Sequence, residues 1–162
     1  MNWSEEKQFL AKNEYLDEIL SWSNARIDAL LKVRKAQLRM RLAVEEAVVN
    51  VVRYAYEHST KEPVLVIKIA QEGDCLYYQL EDQGVAFNPL ENIVANPNLK
   101  LIERTVGGWG RAIMVSFTDS SSYCNKDGWN ILTLVKKDIA PALINKKRVL
   151  EKQQNSGENG NG

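Results

Sequence analysis

The sequence predicts an α+β domain, a two-layer sandwich in which helices cover one face of a mostly antiparallel sheet. Three observations support this prediction. Apolar residues recur at helical spacing through the first third of the chain, and two alternating apolar segments joined by a short turn follow them. A short helical segment and a second pair of strands complete the order. Helices that precede strands in this way pack most simply on one side of a single sheet.

Two helices are predicted in the first third of the chain. Apolar spacing indicates one helix that runs from Asn13, whose side chain is expected to cap it, to about Lys35. The second helix, residues 36–57, is apolar around most of its circumference, and such helices are normally buried. Its valines are poor helix formers in isolation, so this prediction depends on tertiary packing. A short strand at residues 6–12 is expected before both helices.

Four further strands and a short helix are predicted in the remainder of the chain. The strands are residues 63–71, 75–81, 120–125 and 129–137, and the helix is residues 110–117. Residues 88–106 contain two prolines and no sustained period, which indicates a long functional loop. We expect residues 1–139 to form one domain, residues 140–154 to form a helix and residues 155–162 to form a disordered tail.

Composition limits the classes of function that the chain can have. Its 21 basic and 21 acidic side chains cancel, which argues against a broad electrostatic surface for nucleic acid. No apolar run approaches the roughly 20 residues of a membrane helix, and the charged amino terminus has no apolar signal segment. Cys75 and Cys124 lack metal-ligand spacing and are expected to be buried free thiols, as suits a reducing cytoplasm. We therefore predict a cytoplasmic protein without direct nucleic-acid or membrane binding.

A single polar stripe interrupts the apolar surface of the second predicted helix. Glu46 and Asn50 are four residues apart and share a face, which Arg53 and Glu57 continue at the next helical steps, whereas Glu45 lies on another face. Polar groups buried with a helix need partners, because an unpaired carboxylate or amide in the interior costs several kcal/mol. The stripe therefore faces either another polar side chain or a polar ligand.

An Asp-x-Gly segment follows the predicted strand at residues 75–81. Asp82 ends that strand, where its carboxylate can accept a hydrogen bond from the exocyclic amine of adenine; guanine presents a carbonyl at the corresponding position. Gly84 permits the backbone to approach the base closely and to adopt a positive φ, and Phe87 ends the segment. Taken alone, an Asp-x-Gly segment is usually a turn.

A glycine-rich segment opens the short predicted helix. Gly107, Gly108 and Gly110 allow backbone N–H groups to turn toward an anion, and a helix N-terminus adds about half a positive charge. A triphosphate suits this arrangement. The segment is neither a Rossmann fingerprint, since no βαβ unit surrounds it, nor a Walker P-loop, since Gly-Lys-Ser/Thr is absent.

Taken in this order, the polar stripe, the Asp-x-Gly segment and the glycine-rich segment resemble the GHKL (Bergerat-type) ATP-binding domains. Within that superfamily the chain most resembles the stand-alone anti-sigma factor serine kinases, from about residue 13 to residue 137. The resemblance implies a two-layer sandwich that holds Mg²⁺ and ATP between the sheet, the striped helix and the loop. It also implies a bacterial setting and a homodimer.

The resemblance implies a role for each of several residues. Asn50 would be the Mg²⁺ ligand and Glu46 the catalytic base. Asp82, Gly84 and Phe87 would form the adenine site, with Thr133 of the last strand supporting the base through its hydroxyl. Alternatives remain open: Asn50 could bond only its helix neighbours, Glu46 could be the partner of Asn50, and Thr133 could be an ordinary strand residue.

Cations near the glycine-rich segment are the predicted phosphate ligands. Lys100 and Arg104 lie in the predicted lid, residues 88–106, and Arg111 directly follows the last glycine. Arg111 stands where relatives usually carry Leu or Ile, and Tyr54 stands where many carry His. Trp109 is bulky for its position, and the lid lacks the acidic residues of close relatives. Nucleotide binding tolerates such departures more easily than fast turnover does.

The leading functional hypothesis is a protein serine/threonine kinase that uses Mg²⁺ and ATP. Its implied substrate is a serine on a STAS-domain antagonist, and its implied second partner is a sigma factor or another regulator. A nucleotide-responsive module that sequesters a partner without phosphorylating it is the alternative, and an interaction domain without nucleotide is a third possibility. A sensor histidine kinase is excluded, because His58 is the only histidine and no dimerisation helix carries it.

Overall fold

A computed structural model of the chain describes residues 1–91 and 108–139. The elements are β1 Glu5–Leu10, a 3-10 turn Asn13–Tyr15, α1 Leu16–Leu30, α2 Arg34–Asn50, a π-helical turn Val51–Ala55, β2 Val64–Glu72, β3 Cys75–Asp82, α3 Gly108–Phe117, β4 Ser120–Lys126 and β5 Trp129–Lys137. This order confirms the predicted α+β class. Residues 92–107, the predicted helix at 140–154 and the predicted tail at 155–162 lie outside the described part.

The five strands form one sheet in the order β1-β2-β3-β5-β4, and every neighbouring pair is antiparallel. Both hairpins turn through residues with positive φ, at Gly73 in the first and at Asp127 and Gly128 in the second. Short hairpin turns of this kind match the right-handed twist of the strands. The predicted antiparallel sheet is therefore confirmed.

The side chains of one sheet face, here called the inner face, pack against α1 and α2. Tyr78 of β3 identifies this face, because its hydroxyl lies 2.6 Å from the Ser23 hydroxyl of α1. Residues directly opposite each other on antiparallel strands point to the same side of the sheet, so Leu134, which pairs with Tyr78, also belongs to the inner face. The main apolar core lies between this face and the two helices.

The start of the first helix differs from its prediction. Asn13 lies in a 3-10 turn, α1 begins only at Leu16, and no side-chain hydrogen bond caps either segment. The predicted Asn13 cap is therefore wrong. A capping side chain must immediately precede the first helical turn so that it can accept from the N–H groups inside that turn. The 3-10 turn separates Asn13 from α1 and prevents this.

The second helix also differs at its carboxyl end. It is α-helical only to Asn50, after which residues 51–55 form a π-helical turn in place of the predicted α-helix to residue 57. The wider π turn changes the rotation per residue. Arg53 and Glu57 are both exposed, and they do not continue the stripe of Glu46 and Asn50 at α-helical steps.

The two cysteines are free thiols, as predicted, but neither is buried. Cys75 is half-buried and Cys124 is exposed. Cys124 pairs with Ile131 and therefore lies on the outer face of the sheet, which α1 and α2 do not cover. In the described part of the chain, no helix has the length and apolar character needed to cross a membrane.

Candidate nucleotide site

The candidate site extends along α2 and the π turn that continues it. Glu46 on α2 lies against Gly110 at the start of α3, and Ala55 in the π turn lies against Gly84 in the Asp-x-Gly segment. These two contact points are nine residues apart along this element. One continuous helical element therefore connects the segment predicted to bind phosphate with the segment predicted to bind adenine, with Asn50 between them.

Gly110 lies directly against the Glu46 carboxylate. A β-carbon built on Gly110 would overlap the Glu46 Oε2 atom and would lie 3.0 Å from its carboxyl carbon. A larger residue at this position would have to displace the carboxylate, so glycine permits the carboxylate to stay where it is. The sequence therefore brings a carboxylate directly against the first turn of α3.

Gly84 is packed as closely at the other end of the element. A β-carbon there would overlap the Ala55 carbonyl oxygen and would lie 2.6 Å from the Ala55 carbonyl carbon. The next residue, Val85, donates its backbone N–H to the same Ala55 oxygen at 2.8 Å. Close approach to the Ala55 backbone is therefore the reason for glycine at this position. The φ of Gly84 is not positive, so that part of the prediction is wrong, and close approach to the base stays a prediction.

Asp82 is held at the end of β3 and is only 6% exposed. Its Oδ1 atom accepts from the Gly84 N–H at 2.9 Å and from the Asn130 amide Nδ2 at 2.9 Å. Within the described ranges no donor reaches Oδ2, so that oxygen can accept from a ligand. Burial raises the pKa of Asp82, while the hydrogen bonds from Asn130 and Gly84 lower it.

Tyr56 fixes the backbone beside Asp82. Its hydroxyl donates to the Val64 carbonyl oxygen at 2.5 Å and accepts from the Gln83 N–H at 2.8 Å. Burial is the largest cause of a raised pKa at this phenol. The end of the π turn, the start of β2 and the Asp-x-Gly segment are thereby connected at one point.

Glu46 is half-buried, and its pKa is raised above its ordinary value of 4.5. Burial is the largest cause, the neighbouring Glu45 charge raises the pKa further, and Arg53 lowers it. In the described part of the chain no hydrogen bond or ion pair engages its carboxylate. A carboxylate that is partly desolvated and not paired is better suited to accept a proton than one held in an ion pair.

Asn50 is half-buried at the last α-helical position, and its side chain does not cap the π turn. No side-chain hydrogen bond to it is formed within the described ranges. Those ranges also contain no cluster of three or more His, Cys, Asp or Glu side chains that could hold a metal alone. A single amide oxygen fits Mg²⁺ bound mainly through phosphates and water, because Mg²⁺ uses few protein ligands in such sites.

Arg111 and Phe87 contact each other at the mouth of the site. The Arg111 guanidinium carbon lies 5.8 Å from the centre of the Phe87 ring, and its Nη1 atom donates to the Glu91 carbonyl oxygen at 3.5 Å. Phe87 remains 54% exposed. The cation that directly follows the last glycine therefore joins α3 to the segment after Phe87.

Thr133 is not brought to Asp82. It pairs with Gln79 across β3 and β5, and its hydroxyl accepts from the Gln79 amide at 2.9 Å. Asp82 pairs instead with Asn130, and three residues along a strand separate opposite faces of a sheet. Thr133 lies on the outer face, so the prediction that it supports adenine is wrong.

Asn130 is the site residue that the sequence interpretation missed. It is 6% exposed on the inner face and donates to Asp82 Oδ1. Alternation along β5 offered a signal, because Asn130 has the same parity as the core residues Leu132 and Leu134. A polar residue at a core parity needs a buried partner.

The remaining predicted phosphate ligands are only partly described. Gly108 opens α3, as expected of the glycine-rich segment. Gly107, Lys100 and Arg104 lie outside the described residues, as does most of the predicted lid. Their roles remain predictions.

Comparison with known families identifies a match over most of the chain. The family described as a histidine kinase-like ATPase domain matches residues 9–136. The serine/threonine-protein kinase BtrW of Bordetella bronchiseptica is 29% identical over 102 residues, which are 61% of this chain and 70% of that protein. The family match includes the polar stripe, the Asp-x-Gly segment and the glycine-rich segment, and it confirms the resemblance drawn from them.

A solved structure shares the fold. The RsbU and RsbW domains of a Mycobacterium tuberculosis protein superpose with a TM-score of 0.55 and 14% identity. The superposition covers 83% of this chain and 32% of that one, so this chain spans about a third of the solved protein. At this identity the likeness establishes the fold alone.

Proposed function

The chain belongs to the histidine kinase-like ATPase domain family, and on that premise we propose that it is an ATP-dependent protein serine/threonine kinase of the anti-sigma factor type. One observation carries the proposal: a single helical element contacts Gly110 through Glu46 and Gly84 through Ala55. A nucleotide lying along that element would have its phosphates at the Glu46 end and its base at the Asp82 end.

Glu46 is the proposed catalytic base. Its carboxylate would take the proton from the hydroxyl of a substrate serine as that oxygen attacks the γ-phosphorus of ATP. A new P–O bond forms to the serine, the bond to the β-phosphate oxygen breaks, and ADP leaves with that oxygen. The close contact with Gly110 supports this role, because it sets the carboxylate beside the helix start where the phosphates are proposed to bind.

Asp82 is proposed to read the base and Asn50 to hold the metal. The Oδ2 atom of Asp82 would accept from the exocyclic amine of adenine, since both donors in the described ranges use Oδ1. Mg²⁺ bound to the phosphates would offset their charge, and the Asn50 amide oxygen is the protein ligand that would hold it. Phe87 would border the base, and the N-terminal turn of α3 at Gly108 and Gly110 would face the phosphates.

The proposed substrate is a serine on a STAS-domain antagonist, with a sigma factor or another regulator as second partner and a homodimer as the working state. The names of the Bordetella kinase and of the solved RsbU and RsbW domains support a regulatory kinase of this class. In such a system a partner is captured or released according to the bound nucleotide, which requires the partner to have different affinities for the two states.

A second candidate function is a nucleotide-responsive module that sequesters its partner without phosphorylating it. The contact of Arg111 with Phe87 and the Glu91 carbonyl favours it. These contacts occupy the cation that would otherwise be free to approach the phosphates. Binding of nucleotide could then be retained while transfer is slow.

Phosphoryl transfer to a partner separates the two candidates. The protein is incubated with γ-labelled ATP, Mg²⁺ and a STAS-domain protein from the same organism, and label on the partner serine is measured. We expect labelling by the wild type and a loss of about 10²-fold or more in Glu46→Ala, with ATP affinity retained.

Glu45→Ala is the matched control, because Glu45 is the exposed neighbour on another face of α2. It should label its partner at close to the wild-type rate. Equal labelling by Glu46→Ala and the wild type would dismiss Glu46 as the base. Binding of ATP and partner without any labelling would favour the sequestering module, and absence of ATP binding would overturn both candidates.

A further inference from the structure

Asn130 is buried and forms the centre of a hydrogen-bond network behind Asp82. Its Nδ2 atom donates to Asp82 Oδ1 at 2.9 Å, to the Val85 carbonyl oxygen at 3.1 Å and to the Gly84 carbonyl oxygen at 3.4 Å. One amide thus contacts both the carboxylate and the backbone of the Asp-x-Gly segment. Neither the family match nor the named relatives assign a role to this residue.

Two residues on β4 fix the orientation of that amide. The Tyr123 hydroxyl donates to Asn130 Oδ1 at 2.7 Å, and the Asn125 Nδ2 atom donates to the same oxygen at 3.0 Å. An amide rotated by half a turn would place its NH₂ group against these two donors and its oxygen against the Asp82 carboxylate. Both changes are unfavourable, so the network selects one orientation.

We propose that Asn130 is a positioning residue that sets the purine specificity of the site by holding Asp82 as a hydrogen-bond acceptor. This inference rests on the proposed function, since it assumes that Asp82 faces a nucleotide base. An ionised Asp82 accepts from the amine of adenine and repels the carbonyl of guanine. A protonated Asp82 could donate to that carbonyl, and the preference for adenine would fall.

The physical reason is the balance of forces on a buried carboxyl. Burial favours the neutral form of Asp82, whereas N–H donors favour its ionised form, and Asn130 supplies the only side-chain donor to it in the described ranges. Removing that donor leaves burial opposed by the Gly84 N–H alone. The fraction of neutral Asp82 at a given pH then increases.

Other titratable or charged groups around Asp82 can be named. The Tyr56 hydroxyl bonds to the Gln83 N–H, the Tyr123 hydroxyl bonds to Asn130, and the Lys61 ammonium donates to the Gln83 carbonyl oxygen at 3.2 Å. None of these three groups bonds to the Asp82 carboxylate itself, whose donors in the described ranges are the Gly84 N–H and the Asn130 amide.

The test measures the affinities of ATP and GTP for the full chain by calorimetry, once at about pH 7.5 and once at about pH 5.5. We expect Asn130→Ala to lower the ratio of ATP to GTP affinity by about tenfold, which is the effect of losing one hydrogen bond to a charged group. The ratio should fall further at the lower pH, and by more in the variant than in the wild type.

Two other variants keep the test valid if Asn130→Ala does not fold. Asn130→Asp preserves the shape but replaces the donor with a second carboxyl, and it should lower the ATP to GTP ratio as well. The combined Tyr123→Phe and Asn125→Ala variant keeps Asn130 but removes both donors that orient it, and it should lower the ratio by a smaller factor. Asn125→Ala alone is the matched control and should keep the wild-type ratio, because Tyr123 still holds the amide.

The result that would overturn the inference is an unchanged ATP to GTP ratio in folded Asn130→Ala or Asn130→Asp. An equal loss of both affinities would also overturn it, since that pattern belongs to a merely structural role. Failure of the proposed function is distinguishable, because it appears in the wild type as an inability to bind either nucleotide.

Discussion

Gly110 and Glu46 lie so close together that the Glu46 carboxylate occupies the space that a side chain at Gly110 would need. Gly110 belongs to the first turn of α3, and Glu46 lies near the carboxyl end of α2. The contact fixes where the helix start stands relative to the carboxylate. It gives the glycine-rich segment a steric function in addition to the backbone freedom for which glycine is usually chosen.

Gly110→Ala should therefore reduce transfer more than it reduces ATP binding. The added methyl group would displace the Glu46 carboxylate, and a general base moved out of reach loses its contribution of about 10²–10⁴-fold. Alanine is otherwise the better helix former by about 1 kcal/mol, so helix propensity cannot explain a loss. The turnover rate and the ATP affinity of the same preparation provide the measurement.

Gly73→Ala is the matched control for that substitution. Gly73 lies in the hairpin between β2 and β3, with φ of 57° and no atom within 4 Å of an added β-carbon. Its substitution strains the backbone without displacing any side chain, and it should lower stability while preserving turnover. A Gly110→Ala protein that turns over as fast as Gly73→Ala would contradict the steric role of Gly110.

Gly84→Ala should destabilise the fold and weaken ATP binding together. The methyl group would overlap the Ala55 carbonyl and separate it from the Val85 N–H that bonds to it. We expect a loss of about 1–3 kcal/mol in the free energy of unfolding in urea, because the overlap with the Ala55 carbonyl must be relieved and the backbone hydrogen bond is broken. Gly128→Ala, at a position with φ of 81° and open surroundings, should cost about 1 kcal/mol and leave ATP affinity unchanged.

The rate of phosphoryl transfer should fall with acidification at a higher pH than an ordinary carboxyl would cause. The pKa of Glu46 is raised above 4.5 by burial and by Glu45, and only the ionised form can accept a proton. The rate is therefore full above that pKa and is lost as the pH decreases through it. The pH dependence of transfer at saturating ATP and partner is the measurement.

The Arg53→Ala variant tests whether the pKa of Glu46 controls the pH dependence of the transfer rate. Arg53 lowers the pKa of Glu46, so its removal should move the decline in rate to a higher pH. Arg34→Ala, at the opposite end of α2, serves as a control of equal charge change and should leave the profile in place. An identical profile for Arg53→Ala and wild type would show that another group controls the rate.

Ser23→Ala should cost more stability than Tyr78→Phe, although both remove the same hydrogen bond. The Ser23 hydroxyl donates to the Ile19 carbonyl at 2.8 Å, so the bond to Tyr78 is donated by the phenol. Without Ser23, the fully buried Tyr78 hydroxyl has lost that partner, which costs about 1–3 kcal/mol. Without the phenol, Ser23 still bonds Ile19, and the cost is about 0.5–1.5 kcal/mol.

Urea unfolding of the two single variants and the double variant checks this order. The double variant should recover part of the stability lost in Ser23→Ala, since the unsatisfied hydroxyl is gone. A larger loss in Tyr78→Phe than in Ser23→Ala would mean that the packing of the phenol outweighs its hydrogen bond.

The strands and the candidate segments were predictable because their signals are local. Strand alternation and turn residues predicted every strand end of the two hairpins to within one residue, and β5 was predicted with its full bounds, Trp129–Lys137. The spacing of Glu46 and Asn50 predicted a shared helix face, and both lie within α2. Each of these inferences needed only residues close together in the chain.

Helix ends were less predictable. The capping role given to Asn13 and the α-helix expected through residue 57 both failed, since a 3-10 turn and a π turn occur there. Local propensity does not distinguish these turns from an α-helix. The Ala55 carbonyl of the π turn contacts Gly84 and Val85. These contacts join residues that are about 30 positions apart in the chain.

The sequence by itself determined the class of fold, the order of its elements and the residue types that could meet a nucleotide, because periodicity and short motifs are properties of neighbouring residues. Only the tertiary structure decided which of those residues share one site. In that structure Gly110 lies against Glu46, Thr133 lies on the outer face of the sheet and Asn130 lies behind Asp82. Strand register and close backbone approach join residues far apart in the chain, and no local pattern fixes them.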